Sequence, residues 1–458
     1  MSHDPTAQSV LFPHLAGKPL VVRMEEEHSS SDGGGVLLRA VDRCLGLTEA
    51  LAGCLRDPRQ SGKIAHTFPE LLQQRVFAIA LGHPDANDAR ELAQDPVHKL
   101  LVGRDPVHGA PLASQPTLSR FENTVQATDL YRMAEAMADR VIERHRRRLG
   151  RRCRRITLDF DPTDDPTHGQ QEFTFFHGYY DTYCYLPLLG TMAFNDEAEQ
   201  YLFCAVLRPG NSPASRGLVA ILRRILAKLR AAFPRARIRV RLDGGFGTPE
   251  VLDFLDAAGV EYVVGLQATE PLKQRARRAL GRARRLSRET GETAHVFGET
   301  RYQTKTTWPH PRRVVYKAEV VRLEGREPKD NERFVVTNLP HTPENVYAIY
   351  TGRGDPENRI KELKNDLAMD RTSCSRFLAN QFRVLLTAAA YVLMQELRLR
   401  ARRTDCARAQ VGTLRNRLLK LAAWVEVSVR RIVLHLPRRF PGREAWLRLA
   451  AQVGAVPA

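Results

Sequence analysis

The feature that most restricts this chain is a run of alternating elements between Arg154 and Leu266. RRITLDFD, TYCYLPLLG and QYLFCAVL read as strands, and PASRGLVAILRRILAKLRAAF reads as a helix with apolar residues at helical spacing. RIRVRLD is again a strand, PEVLDFLDAAG a helix and EYVVGL a strand. Acids close the first strand (Asp159, Asp161) and the fourth (Asp243, before the turn GGFG). On an extended strand Asp159 and Asp161 face the same way, so geometry does not choose between them. Asp164 and Asp165 lie beyond in the loop, where acids are usually solvated.

A second stretch, YTGRGDPENRIKELK, offers a later carboxylate. Asp355 can cap a helix whose first residue is Pro356, and Glu357, Lys361 and Lys364 then stand at i, i+4 and i+7 on one face. By itself such a face is most often solvated surface with weak ion pairs. It also suits a metal ion and a phosphate. NVYAIY, just upstream, reads as a strand that delivers Tyr350 and Arg353 to the same edge.

Composition narrows the partner. With 458 residues the chain can hold two or three domains, and 70 Lys plus Arg against 52 Asp plus Glu give +18, a balance that points to a polyanion such as nucleic acid. No uncharged apolar run reaches the length of about 18 residues that a membrane span needs, and the N-terminus lacks the pattern of a signal peptide. The expected setting is soluble and cytoplasmic, beside the nucleoid, with no membrane partner. The 7 cysteines are scattered and never spaced C-x-x-C, which suggests neither a zinc module nor a disulfide framework.

The flanks complete the expected domain plan. Residues 1–35, ending in EEEHSSSDGGG, read as a loose segment; 36–150 as an all-α domain; 151–269 as the first part of the core; 270–345 as an inserted basic helix and β-rich subdomain; 346–400 as the second part of the core; and 401–458 as a basic C-terminal region. Arg120, on a helix opened by Ser114 or Thr117, could belong to the second helix of a DNA-reading pair, although cap-plus-helix segments are common. Nine arginines between Arg140 and Arg155 would repel one another without a counter-anion, so phosphate contact is the functional reading of that run. Eight Lys or Arg fall between Lys273 and Arg288, ahead of Trp308 in TKTTWPHP.

The order of strands, with acids ending the first and fourth, is that of an α/β ribonuclease H-like domain, where a later helix supplies a third acid. Three carboxylates from distant segments suit phosphodiester chemistry with two divalent ions. The spacing Tyr350, two residues, Arg353, three residues, Glu357, six residues, Lys364, together with LDFDPTDDPTHGQQE and VRLDGGFG, resembles the DDE transposases of bacterial insertion sequences, in the group with a Tyr-Arg-Glu-Lys pattern. The resemblance runs from about Val36 to about residue 435.

What it implies is a Mg2+- or Mn2+-dependent nuclease and strand transferase, using two ions, that acts on terminal inverted repeats and target DNA as a homodimer. It favours Asp161 over Asp159 as first acid, with Asp243 and Glu357 as the others. Tyr350, Arg353 and Lys364 would hold phosphates, with Lys361 at most a backbone contact. Trp308 would stack on a flipped base, although a buried structural indole is the more common fate. His168 would be a loop hydrogen-bonder near the first acid. Two other readings compete: a catalytically silent DNA-binding regulator, and a haloacid dehalogenase-like phosphatase with Asp159 as nucleophile and Asp161 as general acid.

Overall fold

The computed structural model describes residues 10–13, 17–304, 307–352 and 354–456. The chain divides into two compact units: Met1–Cys44, Ile64–Ser119 and Glu396–Ala458 form one, and Leu45–Lys63 with Arg120–Gln395 form the other.

The second unit is built on a mixed sheet of eight strands, in the order Tyr201–Val206, Leu188–Phe194, Arg155–Pro162, Arg237–Leu242, Glu261–Leu266, Lys329–Thr337, Arg312–Val321, Ala294–Tyr302. The three strands Arg155–Pro162, Arg237–Leu242 and Glu261–Leu266 run parallel, because the helices Leu218–Ala232 and Pro249–Ala257 supply the return connections that parallel pairing requires. Their neighbours on both sides are antiparallel. Ile156, Leu158, Phe160, Val240, Leu242, Val263 and Val264 are buried, as expected for strands covered on both faces. The strands of the expected insertion extend this same sheet, with Lys329–Thr337 pairing along Glu261–Leu266. The basic helix Glu270–Thr290 packs Ala279, Leu280 and Ala283 on Ala318 and Val320, leaving Lys273, Arg277, Arg278, Arg282, Arg285 and Arg288 exposed. The apolar helix Phe377–Arg400 is long enough to cross a membrane, but 83% of its most apolar window is buried in the protein, so it serves as a core helix.

Two local expectations are corrected. TYCYLPLLG is two strands, Thr182–Tyr185 in a small three-stranded sheet and Leu188–Phe194 in the large one, because Pro187 separates them. NVYAIY lies in a helix, Pro343–Thr351: the Thr342 hydroxyl accepts the Asn345 amide and Pro343 occupies the first turn, so the start signal overrides the β-favouring side chains.

In the first unit, the glycine-rich segment is not loose. Ser29–Ser30 pairs with Ala423–Trp424, and Gly33–Gly35 forms a buried 3-10 turn whose Gly33 amide donates to Leu421 O. A Cβ on Gly34 would lie 1.9 Å from the carbonyl oxygen of Leu418, so this close approach of two backbones needs glycine. Gly34→Ala is therefore expected to cost about 1–3 kcal/mol or more, as overpacking does. Gly17→Ala, where no atom of the described residues lies within 4 Å, should leave the urea midpoint unchanged, whereas Gly34→Ala should lower it.

Candidate active site

The first two candidate acids lie at the ends of neighbouring parallel strands. Arg155–Pro162 and Arg237–Leu242 pair in parallel up to Asp159 opposite Arg241, and Asp161 and Asp243 each come two residues after a member of that last pair. Both are half-buried at the C-terminal end of the parallel strands. Asp243 keeps an extended backbone, and its Oδ1 accepts the Gly245 amide at 2.8 Å, which fixes the turn Gly244–Phe246. A Cβ on Gly265 would come within 2.7 Å of Gly244 N and 2.8 Å of Tyr350 Oη. The Tyr350 phenol therefore sits beside the Asp243 turn.

Asp159 has a different environment. It is 1% exposed, and Arg241 grips it with Nε at 2.8 Å from Oδ1 and Nη2 at 2.7 Å from Oδ2, while Gln200 Nε2 reaches Oδ2 at 3.1 Å. Arg241 Nη1 also donates to Ile349 O at 3.1 Å, and a Cβ on Gly352 would lie 2.9 Å from that nitrogen. One guanidinium thus joins both acid-bearing strands to the end of the helix Pro343–Thr351. Sequence reading passed over Arg241, although RIRVRL places arginines on one alternate face of a buried strand, and a buried cation needs a partner.

The helix bearing Glu357 runs from Gly354 to Lys361, starting ahead of Asp355, which was expected to cap it. It packs against the strand of the first acid. Glu357 and Lys361 are exposed on it. Arg353 lies outside the described residues. From Glu362 to Asp366 the helix widens into a π-turn, which shifts Lys364 away from simple i+7 alignment with Glu357. Lys364 Nζ instead lies 2.9 Å from Asp164 Oδ1. His168 is exposed in its loop, and Arg120 is exposed on the helix Gln115–Thr124. Trp308 is 6% exposed, edge-on to Tyr302 and beneath the Arg312 guanidinium, so the structure uses it as a packed indole. The arginine run is not unopposed: Arg146 and Arg147 pair with Glu143, Arg148 with Glu197 and Arg155 with Asp196.

Negative charge concentrates at the strand ends. Burial pushes the Tyr180 phenol up to about 12, helped by Asp164, Tyr179, Asp161 and Asp243. Asp165, expected to be solvated, is fully buried in the short strand Asp165–Pro166, and Thr372 Oγ1 donates to its two oxygens at 3.0 and 2.9 Å. Burial raises its pKa to about 8 against the Thr372 bond, with Asp370 and Asp164 adding to the rise.

Two outcomes follow for stability. Arg241→Met strands a buried carboxylate and should cost about 3–5 kcal/mol, partly recovered in Asp159→Leu/Arg241→Met, by urea denaturation. Asp165 holds its proton in the native state up to about pH 8, whereas an unfolded aspartate loses it near pH 4. Its contribution is thus full below about pH 4 and is lost as pH rises towards 8. Between pH 5 and pH 8 the wild-type urea midpoint should fall relative to that of Asp165→Asn.

A family model described as transposase DDE domain group 1 matches residues 12–457, nearly the whole chain. No curated protein matches it. With a family match of that extent, the chain belongs to the DDE transposases of domain group 1.

Proposed function

We propose that this chain is the transposase of an insertion sequence, which binds the terminal inverted repeats, cuts the DNA at them and joins the freed ends to target DNA. The observation that carries the reading is the parallel register of the strands that lead to Asp161 and Asp243, with the helix of Glu357 packed on the strand of Asp161. Support for a ribonuclease H-like core comes from the sheet order: an antiparallel trio, Tyr201–Val206, Leu188–Phe194 and Arg155–Pro162, continued by two parallel strands. Helices of the 36–149 stretch, which the two units share, would supply DNA contacts, Arg120 among them.

The donor set suits Mg2+ or Mn2+. Asp161, Asp243 and Glu357 present only carboxylate oxygens, which hard cations prefer, and the charge that raises Tyr180 gathers at the same strand ends. Bound there, two such ions would activate the attacking oxygen and stabilise the leaving one. The protein's own share is positioning. The bonds between Asp159 and Arg241 would keep the two strand ends in register, and with them the segments that carry Asp161 and Asp243. Tyr350, beside the Asp243 turn, can donate to a phosphate oxygen, while Lys364, drawn to Asp164, would share its charge between that carboxylate and a phosphate. The exposed cations of Glu270–Thr290 offer a further backbone contact. A homodimer that pairs two DNA ends, working at the nucleoid in the cytoplasm, completes the proposal.

The phosphatase reading loses its nucleophile, since both oxygens of Asp159 are engaged in the buried pair. The silent regulator is separated by experiment. Asp161→Ala, Asp243→Ala and Glu357→Ala should each abolish Mg2+- or Mn2+-dependent cleavage of an inverted-repeat duplex while gel-shift affinity stays near wild type. A wild-type chain that binds but never cuts would favour the regulator. Affinity should fall steeply with salt, and a flat response would overturn nucleic-acid binding altogether.

A further inference from the structure

The first unit holds a cluster of ionisable groups that the DNA chemistry does not use. Asp32, 1% exposed, precedes the buried turn Gly33–Gly35. His98, 2% exposed, lies on the helix Pro96–Leu101, and half-buried His83 follows Gly82, which ends the helix Phe68–Leu81 in a left-handed conformation. Both imidazole Nε2 atoms lie 2.9 Å from the same oxygen, Asp32 Oδ2. Lys420 Nζ lies 2.7 Å from Oδ1 and 3.0 Å from His83 Nε2.

Protons alone leave one of the two close contacts of His83 Nε2 unused. If His83 Nε2 carries hydrogen, it donates to Asp32 Oδ2 and has no lone pair left for the Lys420 ammonium 3.0 Å away. If Nε2 is bare, it accepts from Lys420 but sets its lone pair against that of Oδ2. A cation that takes lone pairs from both imidazoles and the carboxylate removes the conflict, with each ring proton on Nδ1. The three ligand atoms already lie within 4.8 Å of one another.

We propose that Asp32, His83 and His98 form a structural site for a transition-metal dication of the Zn2+ type, separate from the candidate active site. Two nitrogens and one oxygen match zinc rather than Mg2+ or Ca2+, which take oxygen ligands. Lys420, whose side chain is 28% exposed, is the competing cation: it holds Asp32 when the metal is away and swings towards solvent when the metal enters. The ligands are 51 and 66 residues from Asp32 in the chain, so the ion would staple the glycine turn to two helix ends and close long loops, where a cross-link stabilises most.

The test uses the full chain, stripped with chelator and titrated with Co2+. One visible d–d band per chain, displaced by Zn2+ and accompanied by a rise in melting temperature, is expected. The band should persist in Asp161→Ala/Asp243→Ala/Glu357→Ala, which removes the proposed catalytic carboxylates, and vanish in His83→Ala/His98→Ala. Should the double variant fail to fold, His83→Ala alone, at the half-buried ligand, should weaken Co2+ uptake. Lys420→Met should bind Co2+ more tightly than wild type. A stripped wild-type chain and a Lys420→Met chain that both take up no Co2+ and gain no stability from Zn2+ would overturn the proposal, leaving Lys420 as the sole counter-ion. A band that survives loss of the histidines would overturn it equally.

Discussion

The bidentate pair between Asp159 and Arg241 is the constraint on which the second unit's site depends. A carboxylate and a guanidinium that are both this deeply buried are tolerated only with good geometry and satisfied remaining donors. Both conditions are met: two parallel hydrogen bonds join the groups, Gln200 adds a third, and the spare Arg241 nitrogen goes to Ile349 O. Because the partners sit opposite one another on parallel strands, the pair also disfavours a slip of register, which would send the side chains to the wrong face. Asp161 and Asp243 each come two residues after a member of that pair.

A polar chain continues from this pair to the core helix. Gln395 binds Gln200 O and Glu199, Arg359 bridges Glu199 and Glu362, and Tyr391 Oη donates to Glu362 at 2.6 Å. Arg359 lies on the same helix as Glu357. The helix of Glu357 is therefore tied to the strand system by charge-assisted bonds in a low-dielectric interior, where they are stronger than at the surface. Such a frame suits a site that must hold its carboxylates still against their mutual repulsion. The chain's net charge of +18 is a balance that favours a polyanionic partner.

Much of this was legible from residue patterns. The strands ending at Asp161 and Asp243 announce themselves by apolar runs closed by acids and glycine, and the apolar helix by its length. TPEN before VYAIY carried a helix start that the β-favouring side chains concealed, since local propensity yields to a satisfied cap. Asp164 and Asp165 looked alike as loop acids. Only one is buried, because Thr372, some 200 residues away in sequence, lies over it. Ser29–Gly35 looked too polar and too glycine-rich for order, yet its glycines are what let the backbone of Leu418 approach.

The sequence by itself determined most of the alternation of strands and helices and the acids that close two of the strands, because these follow from local periodicity, and its motifs carried the resemblance to the family. Tertiary structure alone decided that Asp159 is an anchor, that Trp308 is packed, that Lys364 leans on Asp164, and that Asp32, His83, His98 and Lys420 converge. Each of those outcomes depends on a partner distant in the chain, and burial and charge pairing act through space, where sequence spacing carries no information.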